Sequence, residues 1–138
     1  MSDNWDIEKE IFEDSKVIAI VGLSANPERP SNRVGDYLKG NGYKIIPVNP
    51  TIESALEEKS YPDLGSISEK VDIVDIFRKS EEVLPVVEEA VKIGAGTVWL
   101  QEGVINEEAA EYARKAGLRV VMDKCLMKEH QRIYNSGW

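Results

Sequence analysis

The chain has a single cysteine, Cys125, in 138 residues, which excludes an internal disulfide and any metal site built from several thiolates. It has no apolar run near the ~20 residues that a membrane-spanning helix needs. It has no repeat, low-complexity stretch or linker. The start, Met1 to Asp6, is acidic and lacks the basic-then-apolar order of a secretory signal, so a cytoplasmic protein is expected. Basic residues are in deficit, with 17 Lys and Arg against 25 Asp and Glu and a net charge of −8. Displacing counterions from a nucleic acid needs the opposite balance, which argues against nucleic acid as a partner. An anionic small ligand fits only where the few cations gather around it.

What is present suits a folded chain. Hydrophobic residues make up 42% and charged residues 30%, enough for a core without covalent staples. The length fits one domain over 1–138, with its core at about 15–133. Short runs rich in β-branched residues predict strands at 16–21, 43–48, 71–76, 97–100 and 118–121. Pro47 cannot donate to a ladder and belongs near a strand end. Helical spacing predicts helices at 32–39, opened by Ser31 or Asn32, at 80–93, capped by Ser80, and at 106–116, capped by Asn106 and stopped by Gly117. A first helix is expected over 6–13, burying Ile7, Ile11 and Phe12. The polar stretch 50–68 carries one short helix near 54–58.

Strands alternating with helices imply parallel strands joined by right-handed crossovers. The fold class is therefore α/β, a doubly wound sheet of about five parallel strands with helices on both faces. Such sheets bind ligands at the carboxyl ends of the strands, where strand order reverses.

The loop at 22–32 leaves the first strand and opens a helix, the usual place for a phosphate-binding turn. Gly22 allows close backbone approach, Ser24 brings a hydroxyl, Arg29 a charge, and Ser31 sits at the positive end of the helix. The plain alternative is a strand-to-helix turn with a serine cap, but this loop is longer than the ~2–6 residues such a turn requires. A side chain on Gly22 is expected to stand between backbone N–H groups and phosphate and to demand a backbone angle that glycine alone takes cheaply, at a cost to the fold of a few kcal/mol or less. The dinucleotide fingerprint is broken, because Ser24 and Pro27 stand where glycines belong. The acid expected at the end of the second strand is also missing, since that strand ends Val48-Asn49-Pro50.

Other strand-end loops supply Phe77-Arg78-Lys79 and Gln101-Glu102-Gly103. Phe77 is placed to stack on a base or, more plainly, to fill core. Gly103 permits close approach or simply a turn. Cys125 and His130 lie five apart and share no helical face, which counts against a nucleophile–base pair. Cys125 reads as a small buried hydrophobe and His130 as a surface or cap residue. The acidic pairs, such as Glu81-Glu82 and Glu107-Glu108, read as solvated helix faces, without the spacing of a metal site. Trp99 reads as core. Trp5 and Trp138 are terminal, and Trp138 is a candidate for a contact in a homo-oligomer.

Taken together, Val21-Gly22-Leu23-Ser24, Arg29-Pro30-Ser31-Asn32-Arg33-Val34, Tyr43 to Pro50, Asp75-Ile76-Phe77-Arg78 and Trp99 to Val104 resemble the small single-domain CoA-binding proteins. Their domain is similar to the amino-terminal domain of the succinyl-CoA ligase alpha subunit. The resemblance covers roughly 15–133 and implies a Rossmann-like domain that holds coenzyme A or an acyl-CoA. By position it implies that Gly22, Leu23, Ser24 and Ala25 contact phosphates, assisted by Arg29 and Ser31. Asn49 and Pro50 then lie along the nucleotide end, where the ligase has a lysine. Phe77 and Arg78 line the site, and Gln101, Glu102 and Gly103 border the adenosine or pantetheine. Ligase chemistry uses a histidine in a second domain, so the resemblance implies binding without catalysis. The rival expectations are an NAD(P)-binding oxidoreductase and a regulatory module without a ligand.

Overall fold

The computed structural model describes residues 6–135, so Trp5 and Trp138 lie outside the described residues. Helix α1 (Ile7–Asp14) starts at Asp6, whose carboxylate accepts from the Glu8 N–H at 2.9 Å. It buries Ile11 and Phe12. Strand β1 (Val17–Val21) leads to α2 (Pro30–Gly40) and β2 (Lys44–Val48). A hairpin of β3 (Ser54–Ala55) and β4 (Glu58–Lys59) follows, then β5 (Ile73–Ile76) and α3 (Val83–Lys92). The chain continues through β6 (Thr97–Leu100), α4 (Glu107–Lys115), β7 (Arg119–Val121) and α5 (Leu126–Tyr134).

The five long strands form one parallel sheet in the order β2-β1-β5-β6-β7. Side chains alternate between its faces, as the two-residue period of a strand requires. Ile18, Ile20, Ile73 and Trp99 meet Ile11, Phe12, Val34, Leu38 and Leu126 from α1, α2 and α5. Ala19, Val21, Val74, Ile76, Val98 and Leu100 meet Val83, Val87, Ala90, Ala109 and Ala113 from α3 and α4. With both faces covered, every residue of β5 and β6 is buried. The sheet is the expected doubly wound α/β fold. Among the described residues no helix is long and apolar enough to cross a membrane.

Pro47 is the next-to-last residue of β2, near the strand end as expected, and β2 is an edge strand. The Pro47 carbonyl accepts from Tyr61 N–H at 3.0 Å on the side away from β1. The missing N–H therefore falls on the outer edge, where no ladder bond is lost.

Four local expectations need correction. Residues 54–59 form a hairpin, not a helix. Its turn residues Leu56 and Glu57 both have positive φ, 54° and 66°, the tight turn that matches strand twist and that no right-handed helix accommodates. Helix α2 is capped by Arg29 and begins at Pro30, because the Ser31 and Asn32 side chains are engaged with Ser24 instead. Ser80 opens a 3-10 turn, Ser80–Glu82, before α3. Its hydroxyl accepts from the Ile105 N–H at 3.0 Å rather than capping a helix.

His130 is buried, not a surface residue. Its Nδ1 pairs with the Tyr37 hydroxyl at 2.7 Å, and Asn135 Nδ2 donates to the same hydroxyl at 3.0 Å. Phe12 meets its ring edge-on at 5.0 Å. Burial lowers its pKa below the ordinary imidazole value. Asn106 caps α4 as expected, accepting from Ala109 N–H at 2.9 Å. Trp99 is fully buried, with Nε1 donating to the Lys124 carbonyl at 2.9 Å.

Candidate functional site

Strand order reverses between β1 and β5, so a crevice opens at their carboxyl ends. Gly22 follows β1, Phe77 follows β5 and Gln101 follows β6. The Phe77 N–H bonds the Val21 carbonyl at 2.9 Å and the Gly22 N–H bonds the Val48 carbonyl at 2.8 Å. Gly22 has φ 91°. A Cβ there would overlap the Phe77 backbone carbonyl. The expected glycine-only backbone angle is present, and the overlap with Phe77 shows that the fold itself also requires glycine here.

The loop after β1 is held by its own polar groups. Ser31 Oγ accepts from Ser24 N–H at 2.9 Å, and Asn32 Nδ2 donates to the Ser24 carbonyl at 2.8 Å. Asn49 Nδ2 reaches across from the end of β2 to the Leu23 carbonyl at 3.0 Å. Its Oδ1 accepts from the Thr51 N–H and hydroxyl at 2.9 and 2.7 Å. Asn49 is therefore a brace between two strand-end loops. Among the described residues the backbone N–H groups of Leu23, Ala25 and Ser31 have no hydrogen-bond partner. Unpaired donors at the start of a helix make a ready anion site.

Two adjoining cavities occupy the crevice. One, of about 460 Å³, is lined by Gly22, Ser24, Arg29, Ser31, Asn49 and Thr51. The other, of about 770 Å³, is lined by Val34, Arg78, Gln101, Glu102, Cys125 and Met127 among others. Pro30 and Phe77 line both, so the two form a continuous groove. The first is rich in hydroxyl, amide and backbone groups, and the second is walled largely by apolar atoms. Cations flank the groove. Arg29, Arg33 and Lys79 make no ion pair among the described residues. Arg78 pairs with Glu82 at 3.2 Å and Lys128 with Glu102 at 3.0 Å. The bond to Glu102 raises the Lys128 pKa. An acidic protein thus keeps unpaired cations at this groove.

Of the thirteen residues singled out in the sequence, nine line the groove: Gly22, Ser24, Arg29, Ser31, Asn49, Phe77, Arg78, Gln101 and Glu102. Leu23, Ala25, Pro50 and Gly103 do not. Leu23 buries its side chain completely and offers only its N–H. Ala25 is exposed on the same loop. Pro50 borders a separate hollow with Val48 and Leu64. Gly103 has φ 85°, and its N–H donates to Asp123 Oδ1 at 2.7 Å.

Thr51, Met127 and Lys128 were not singled out, and Cys125 was read only as packing. The signal for the last three was available: the end of β7 obeys the same carboxyl-end rule as the other strands. Asp123 takes φ 64° there and turns the chain so that Cys125 and Met127 face the groove.

One ionisable group lies beneath this region. Asp75 sits in β5 between Ile20 of β1 and Trp99 of β6. It is fully buried, and neither carboxylate oxygen has a hydrogen-bond partner. Burial raises its pKa well above the carboxylate range.

The model for the CoA binding domain matches residues 16–131, which include every strand and the whole groove. The chain belongs to the CoA-binding domain family. Bacillus subtilis YneT is 44% identical over 122 residues, covering 88% of this chain and 90% of that protein. A solved hypothetical protein from Pyrococcus horikoshii superposes with a TM-score of 0.88 at 43% identity, covering 91% of this chain and 89% of that one. The ADP-forming acetate–CoA ligase II of Archaeoglobus fulgidus is 33% identical over 117 residues. That match covers 76% of this CoA-binding-family chain but 17% of the ligase.

Proposed function

We infer that this protein binds coenzyme A or an acyl-CoA in the groove at the carboxyl ends of β1, β5 and β6. The observation that carries the reading is the change in chemistry along one continuous groove. Unpaired N–H groups and Arg29 at one end suit phosphate. The apolar cavity beyond Phe77 suits a thin, uncharged arm. Coenzyme A joins these two chemistries in one molecule. The family and the ligase similarity support the same ligand.

Binding without turnover is part of the proposal. Residues matching the ligase make up 17% of that enzyme, and His130 pairs with the Tyr37 hydroxyl and is not among the residues that line the groove. We place the protein in the cytoplasm, where its ligand is made and used. NAD is disfavoured because Asn49 is a neutral brace where a ribose-binding acid would be required.

Isothermal titration of the purified protein with coenzyme A and with NAD tests this. Coenzyme A is expected to bind at least tenfold more tightly, about 1.4 kcal/mol. Equal or tighter NAD binding would overturn the reading, and binding of neither would favour a module that uses the fold without a ligand.

A further inference from the structure

Cys125 immediately precedes α5. It is 8% exposed and lines the apolar cavity. Gln101 lines the same cavity and is 4% exposed. Its Oε1 accepts from the Leu126 N–H at 3.1 Å, which ties the acceptor end of the amide to α5. Its Nε2 has no hydrogen-bond partner among the described residues, and it is not one of the unpartnered polar atoms sealed from solvent. The donor end therefore opens into the cavity. A largely buried amide donor without a partner marks a place where an acceptor is to be supplied.

Thiol and amide donor thus share a cavity with Val34, Phe77 and Met127. A ligand whose phosphates sit by Arg29 and whose arm passes Phe77 brings its far end to this wall. In coenzyme A that end is a thiol, on an arm whose amide carbonyls match a bare N–H donor. The Lys128 ammonium lies within electrostatic reach of the Cys125 sulfur. Cys125 stands at the N-terminus of α5, beside the Leu126 N–H that Gln101 Oε1 holds.

We propose that Cys125 captures coenzyme A as a mixed disulfide, by exchange with coenzyme A disulfide; this rests on the CoA-binding reading above. The Cys125 thiol gives its proton to solvent, and Sγ attacks one sulfur of the ligand disulfide. The ligand S–S bond breaks as the bond between Sγ and a coenzyme A sulfur forms. The departing coenzyme A thiolate carries away the electron pair. One disulfide replaces another, so no further oxidant is consumed. A free thiol attacking the mixed disulfide reverses the step. The groove then holds its ligand covalently when coenzyme A is oxidised and reversibly when it is reduced.

The test is intact-mass spectrometry under denaturing conditions after incubation with coenzyme A disulfide. The expected result is a mass gain of one coenzyme A less two hydrogens, reversed by dithiothreitol. The chain has one cysteine, so the gain reports on Cys125, and folded Cys125→Ala shows no gain. Glutathione disulfide, which lacks the nucleotide that the groove would hold, is expected to react at least about tenfold more slowly, the factor that one retained contact supplies. Reaction at equal rates would mean an exposed thiol of ordinary reactivity and would overturn the proposal. So would the absence of an adduct in protein that binds reduced coenzyme A by calorimetry, while leaving the CoA-binding reading intact. Failure to bind reduced coenzyme A would remove that reading and this proposal together.

Discussion

The backbone carbonyl of Phe77 occupies the space that a side chain on Gly22 would need. The two residues follow neighbouring strands at the point where strand order reverses. Gly22 also has φ 91°, so a substitution there adds backbone strain to the overlap. Gly22→Ala is expected to lower stability by about 2–4 kcal/mol. Urea unfolding followed by circular dichroism measures this. A loss of less than about 0.5 kcal/mol, the scatter of harmless substitutions, would show that the crevice is not packed this way.

Arg29 is the contrasting case. It is exposed, caps α2 through its backbone alone and has no side-chain cap bond. Arg29→Ala should leave the unfolding midpoint in place. It should weaken coenzyme A binding tenfold to a hundredfold, the worth of one charge-assisted contact at ~1.5–3 kcal/mol. Calorimetry with an unchanged dissociation constant would place the phosphates elsewhere.

Asp75 makes the fold sensitive to pH in an unusual direction. Its folded pKa is raised well above its unfolded value because burial penalises the charged form. The unfolded chain releases this proton above about pH 4 while the native state retains it, so the contribution of Asp75 to stability falls as pH rises. Asp75→Asn removes that titration and keeps the shape. The variant should match the parent near pH 4 and exceed it in stability at pH 8. Urea midpoints for the pair at both pH values decide the matter, and a constant difference between them would refute this origin.

His130 acts in the opposite sense. Its pKa is lowered by burial, so the native state holds neutral imidazole against Tyr37 while the unfolded chain protonates near pH 6.5. Its contribution is present above about pH 6.5 and is lost as pH falls through the lowered folded value. As the only histidine, it can be titrated directly by NMR. The expected midpoint lies below 6.5, and a value at or above it would show that the Tyr37 contact tolerates the cation.

The sequence alone determined the elements whose signals are local. Five β-branched runs became five strands within two residues of their expected bounds, because burial on both faces demands continuous apolar stretches. Asn106 and Gly117 marked the ends of α4, since a cap and a left-handed residue act within one turn. The resemblance of strand-end motifs led to the family and to nine residues of the groove.

Tertiary structure decided what depends on neighbours distant in the chain. Ser80 was drawn from a helix cap to the Ile105 N–H, and Ser31 to the Ser24 N–H, because a side-chain oxygen serves whichever donor packing brings to it. His130 went inside because Tyr37, far off in sequence, offers its hydroxyl there. Cys125 reached the groove only through the turn at Asp123. Asp75 shows the same limit from the other side: its strand was expected, but that both its carboxylate oxygens are buried without a partner depends on what packs over β5. Local pattern specifies an element, but which groups it meets is settled only when the sheet order sets one strand beside another.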